Sequence, residues 1–118
     1  MWEVEGTDEF AEWWYGLTER QQDSVSRLVA RLIQDGPALP YPYSSDIRGS
    51  RHRHMRELRV QSGGRPLRVF YAFDPRRSAI LLIGGDKTGD DRFYRRYIPI
   101  ADKLYDDYIE ELRREGLI

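Results

Sequence analysis

Residues 54–84 run HMRELRV-QSGGR-PLRVFYAF-DPRR-SAILLIG. Segments 54–60, 66–73 and 78–84 are rich in branched and aromatic side chains, and turn-forming residues separate them. They read as three consecutive strands. Ser62-Gly63-Gly64 supplies the first turn and Asp74-Pro75-Arg76-Arg77 the second, so neighbours in this run are expected to pair antiparallel. Side chains alternate across a strand, which sets Leu58 and Val60 on one face and Glu57 and Arg59 on the other. On the second strand Arg68, Phe70 and Ala72 share a face opposite Leu67, Val69, Tyr71 and Phe73. If these two strands are neighbours, Arg68 stands beside Arg59 or Glu57. The third strand is apolar on both faces, the pattern of a strand covered on both sides.

Upstream, Trp2 and Val4 alternate with Glu3 and Glu5, a short strand over 2–5. Thr7 is placed to cap a helix carrying Phe10, Trp13, Trp14 and Leu17. Thr18-Glu19-Arg20-Gln21 fits a capping box for a second helix. Its apolar stripe is Val25, Leu28, Val29, Leu32 and Ile33, and Gly36-Pro37 ends it. Residues 37–50, with Pro37, Pro40 and Pro42, read as a stiff loop. Downstream, Gly84–Asp90 reads as a polar glycine-rich loop. Pro99 fits the first turn of a last helix bearing Ile100, Leu104, Tyr105, Tyr108, Ile109 and Leu112, with Gly116 as its C-terminal cap. The order is β-α-α-β-β-β-α, an α+β arrangement.

The 118 residues suit one domain spanning 1–118, long enough to bury a core without disulfides. There is no cysteine, which excludes thiol nucleophiles and Cys-based zinc sites. The longest aliphatic run, Ala79–Ile83, is far short of a membrane span, and Met1–Glu5 lacks signal-peptide character. A cytoplasmic protein with no membrane partner is the expectation.

The net charge of -1 conceals an uneven distribution. Residues 1–35 carry a net -5, whereas residues 46–68 hold seven Arg against Asp46 and Glu57, a net +5. Basic charge is almost all arginine, 17 Arg to 2 Lys. A GC-rich genome produces that bias as well, so the positions of the arginines carry more information than their number.

Two readings of Glu57, Arg59, Arg68 and Lys87 stand side by side. One is an ordinary cross-strand ion pair on a sheet face. The other is an anion site, in which the planar guanidinium forks grip phosphate oxygens and Lys87 approaches from a glycine loop. Gly84–Gly89 lacks the spacing of a phosphate-binding P-loop. His52 and His54 have no evident third partner for a metal, so no metal and no cofactor are expected. His54 is a candidate acid or base. Trp2, Trp13 and Trp14 read as core. Tyr41 and Tyr43 either pack the loop or stack on bases.

The order and several short motifs resemble the HigB/RelE-type toxins of bacterial type II toxin–antitoxin systems, in their phage-related HigB branch. The matching residues are Trp2-x-Val4, Phe10, Trp13-Trp14, Gly36-x-x-Leu39-Pro40, Arg56-Glu57-Leu58-Arg59, Arg68-Val69-Phe70-Tyr71, Ile80-Leu81-Leu82, Lys87-Thr88 and Ala101-Asp102. The resemblance implies a RelE-like fold, with the helical hairpin on one sheet face and a basic groove on the other. It implies a ribosome-dependent endoribonuclease that cleaves mRNA, and a HigA-like antitoxin with a helix-turn-helix domain. It assigns catalysis to Arg59, Arg68 and Lys87, with Glu57 as base or as orienting group. Arg48, Arg51, Arg53, His54, Arg56, Arg65 and Tyr94 form the implied RNA-binding surface. Many relatives carry two adjacent lysines where this chain has Asp86-Lys87-Thr88. Replacing Arg68 or Lys87 by Ala is expected to relieve growth arrest without unfolding the domain. Two other functions fit the same sequence: a ParE-like inhibitor of DNA gyrase, and a non-enzymatic phage-derived binding module.

Overall fold

A computed structural model describes residues 1–118. Five strands form one sheet: β1 (Val4–Gly6), β2 (Ser44–Asp46), β3 (Arg56–Ser62), β4 (Arg65–Phe73) and β5 (Ala79–Asp86). Three helices accompany them: α1 (Asp8–Tyr15), α2 (Glu19–Asp35) and α3 (Phe93–Arg114). The spatial order is β1-β5-β4-β3-β2; β1 runs parallel to β5 and the other pairs are antiparallel.

Both N-terminal helices start where side chains satisfy their free N–H groups. Thr7 Oγ1 accepts from Phe10 N at 3.0 Å, and Thr18 and Gln21 form a reciprocal capping box. The stripe of α2 and the aromatic residues of α1 pack on Leu58, Val60, Leu67, Val69, Tyr71 and Leu81. This is one core, built from the alternate residues that the strand period assigns to a single face.

The opposite face is not an open groove. Helix α3 lies across it and closes a second core of Phe70, Ala72, Ile80, Leu82, Phe93, Ala101 and Tyr105. Burial of β5 on both faces follows, because α1 packs on one side of the sheet and α3 on the other. At the end of β5 the approach is close enough to require glycine. A Cβ on Gly84 would lie 2.3 Å from the Trp13 ring, and one on Gly85 2.7 Å from the Tyr97 ring. The two glycines let both helices close on the strand end that delivers Lys87.

Four elements differ from the sequence expectation: β1 is Val4–Gly6 rather than 2–5, β5 continues through Gly84–Asp86, which read as the start of the glycine-rich loop, and two larger changes follow. Ser44–Asp46, inside the stretch read as loop, pairs with Leu58, Glu57 and Arg56 as an edge strand. It has no apolar alternation. Side-chain bonds hold it instead, with Ser44 Oγ 2.6 Å from the Tyr71 hydroxyl. The last helix also begins at Phe93 rather than near Pro99, so that Pro99 is interior. Its ring removes a donor to the carbonyl four residues back, and Arg95 and Pro99 both lie on the exposed face of the helix. Phe93 secures the early start. It stacks on Tyr97 at 4.5 Å and on Phe70 at 5.9 Å. No helix is long and apolar enough to cross a membrane.

Candidate active site

Register fixes the centre of the site. Arg59 on β3 lies directly opposite Arg68 on β4, and Glu57 is two residues from Arg59 on the same face. Glu57 is 4% exposed and Arg68 5%. A buried carboxylate needs partners, and Glu57 has them on both oxygens. The Tyr94 hydroxyl donates to Oε1 at 2.7 Å, and Ser45 Oγ donates to Oε2 at 2.7 Å. Two guanidiniums flank the same group at ionic distance. Arg68 Nε is 3.6 Å from Oε1, and Arg59 Nη1 is 3.6 Å from Oε2.

The arginines are not fully used by this arrangement. Arg68 Nη1 donates to the Leu67 carbonyl at 3.1 Å, while its buried Nε has no hydrogen-bond partner. A buried donor left unmade costs about 1–3 kcal/mol, more when it is charged. Lys87, half-buried just after β5, brings a third cation, its Nζ 5.8 Å from the Tyr94 ring centroid. One carboxylate therefore sits between two guanidiniums, with the Lys87 ammonium near the tyrosine that binds it. The excess positive charge is complementary to an anion with several oxygens, such as a phosphate. Burial pushes the Tyr94 phenol above its ordinary value, and its bond to the Glu57 carboxylate pushes it further the same way. Tyr94 thus remains a proton-bearing donor at neutral pH.

Of the residues expected at the site, Glu57, Arg59, Arg68, Lys87 and Tyr94 come together. The others are spread more widely. Arg51 donates to Asp106 at 2.6 Å, and His54 Nε2 lies 3.0 Å from the Tyr105 hydroxyl, both against α3. Arg56 pairs with Asp46 and donates to Ser44 Oγ, on the face opposite Glu57. Arg65 pairs with Asp86 at 3.1 Å. Arg48 and Arg53 are exposed.

Burial also alters what a substitution at Arg68 does. Its removal takes a counter-charge away from the interior carboxylate, so unfolding and loss of the site are not separable there. Lys87, half-buried rather than interior, is the cleaner position. Ser45 was not visible beforehand, because its role depends on the edge strand β2, which carries no period-two signal.

A sheet with a helical hairpin on one face, and an arginine-rich cluster between strands on the other, defines a RelE-like class of small α+β protein. The solved structure of a doubly substituted E. coli toxin RelE in its free state matches with a TM-score of 0.58 at 10% identity, covering 78% of this chain and 90% of that one. Residues 12–106 match the family described as phage derived protein Gp49-like. Two Mycobacterium tuberculosis proteins named as toxins are similar in sequence. HigB2 is 36% identical over 106 residues, and HigB3 is 38% identical over 98 residues. These alignments cover 88% and 82% of this chain. The matched region spans about half of HigB2 (53%) and 84% of HigB3. The chain belongs to the Gp49-like family, with HigB2 and HigB3 among its relatives, and has a RelE-like fold.

Proposed function

We propose that the chain is the toxin of a type II toxin–antitoxin module and acts as a ribosome-dependent endoribonuclease on mRNA, without a metal. The observation that carries this reading is Arg68 directly opposite Arg59 across the β3–β4 register, with Glu57 the one carboxylate between them and Lys87 just past the end of β5, near Tyr94. The proposed partner is a HigA-like helix-turn-helix antitoxin.

In this reading the 2′-oxygen of the mRNA attacks the adjacent phosphorus and the bond from phosphorus to the 5′-oxygen breaks. The products are a 2′,3′-cyclic phosphate and a 5′-hydroxyl. Arg59 and Arg68 are fixed donors for the charge that accumulates on the phosphoryl oxygens. Glu57, held by Ser45 and Tyr94, keeps the guanidiniums aimed and acts as a positioning residue. The Lys87 ammonium donates a proton to the leaving 5′-oxygen, and the 2′-proton leaves to water at the open edge of the cluster. The ribosome contributes by holding the mRNA in line for the attack.

Induction in bacteria carrying separate reporters for translation arrest and DNA damage tests the reading. Translation arrest without a DNA-damage response is expected. A DNA-damage response with intact mRNA would instead support gyrase inhibition, and absence of any growth defect would support a non-enzymatic module.

A further inference from the structure

Beside the anion cluster the chain holds an aromatic ring out in solvent. Tyr41 is 69% exposed, while its neighbours in the turn are anchored. Leu39 is buried, and Tyr43 packs against the first core with the Arg31 guanidinium 3.9 Å from its ring centroid. Tyr43 N and Ser44 N donate to the Pro40 carbonyl, and Arg59 N donates to the Tyr43 carbonyl at 2.8 Å. The turn is therefore tied at both ends and directly to β3. Between these anchors Pro40, Tyr41 and Pro42 are exposed, and Tyr41 is the one aromatic side chain among them. Arg59 lies over its ring, Cζ 5.1 Å from the centroid, and the same Arg59 reaches Glu57. The arginine takes one face of the ring, and the exposure leaves the other face open.

We infer that Tyr41 forms a nucleobase-stacking subsite adjoining the phosphate cluster, with Arg59 linking the two. The inference rests on the anion-site reading above and extends it to the base beside the bound phosphate. An aromatic face accepts any base by stacking, so the subsite contributes affinity and alignment with little sequence preference. Arg59 couples the parts: its guanidinium is within reach of a phosphate at Arg68 and sits on the ring that supports the base. Tyr43, two residues away, is the packing residue of this turn and takes no part.

The test is binding by fluorescence anisotropy of the full chain to two short single-stranded oligonucleotides. Both carry 2′-deoxy sugars to block cleavage; one bears bases and the other is abasic. The wild type should bind the base-bearing strand about tenfold more tightly, within the range stacking supplies. Tyr41→Ala should abolish that preference while leaving affinity for the abasic strand within about twofold. Tyr41→Phe and Tyr41→Trp should retain it. A preference that survives Tyr41→Ala, or equal binding of both strands by the wild type, overturns the stacking subsite alone. Failure of the wild type to bind either strand overturns the anion site and the subsite with it.

Discussion

Replacing Glu57 by Gln separates charge from shape at the centre of the site. Gln keeps an oxygen to accept from Tyr94 and an amide group to reach the Ser45 hydroxyl, so both 2.7 Å contacts have a substitute. What disappears is the negative charge between two guanidiniums. Arg59 is partly exposed and regains water, so little is assigned to it. Arg68 is 5% exposed and has no such recourse. Removing one member of a buried pair costs about 3–5 kcal/mol, and the 3.6 Å separation argues for the lower end, about 3 kcal/mol. For a chain of this size that lowers the melting temperature by about 10 °C. Thermal unfolding followed by circular dichroism reads the shift directly. Glu57→Gln combined with Arg68→Met removes both charges and should recover most of the loss. The reasoning fails if Glu57→Gln melts within about 2 °C of the wild type, or if the double variant is no more stable than the single one.

Three further outcomes follow from the same geometry. Burial lowers the His54 pKa below 6.5, and nearby His52 lowers it further; the unfolded chain therefore holds the proton more tightly, and stability is present above pH ~6.5 and lost as pH falls below it. Urea titrations at pH 7.5 and 5.5 should show that loss, and it should shrink in His54→Gln. Gly84→Ala drives a methyl group into the Trp13 ring, an overpacking cost of about 1–3 kcal/mol, visible as a lower urea midpoint with an unchanged slope. Tyr94→Phe deletes one donor to Glu57 and should cost about 1–2 kcal/mol while leaving the arginines in place, measured by the same titration.

How much was legible beforehand depends on which physical signal each part carries. Strands β3 and β4 were readable because packing under the helical hairpin writes a period of two into Leu58, Val60, Leu67 and Val69, and β5 because it is apolar on both faces. That alternation and a short turn put Arg68 beside Arg59 or Glu57, and the register settles on Arg59. Strand β2 was not readable, since Ser44, Ser45 and Asp46 are held by hydroxyl and carboxylate bonds that leave no hydrophobic pattern. Pro99 misled for a related reason. Proline favours a helix start, and only the aromatic packing of Phe93 reveals that this helix begins earlier. The closure of the second sheet face by α3 was hidden as well, because an amphipathic stripe says that a helix is buried but not against which face. The central arginines look alike in sequence. They part company when distant acids are in place: Arg51 goes to Asp106 and Arg65 to Asp86, while Arg68 is left with an unpaired donor.

The proposed reaction is cleavage of mRNA by attack of the 2′-oxygen at Arg59, Arg68 and Lys87. It is tested most directly with purified ribosomes programmed with a defined mRNA, by mapping cut sites and analysing the new ends for wild type and Lys87→Ala. Cuts by the wild type should leave a 2′,3′-cyclic phosphate and a 5′-hydroxyl. Those cuts should be lost when the attacking 2′-hydroxyl is replaced by hydrogen, and the folded Lys87→Ala variant should cut at a rate at least about a hundredfold lower. Cleavage of the 2′-deoxy substrate, or cleavage by Lys87→Ala at the wild-type rate, would contradict it.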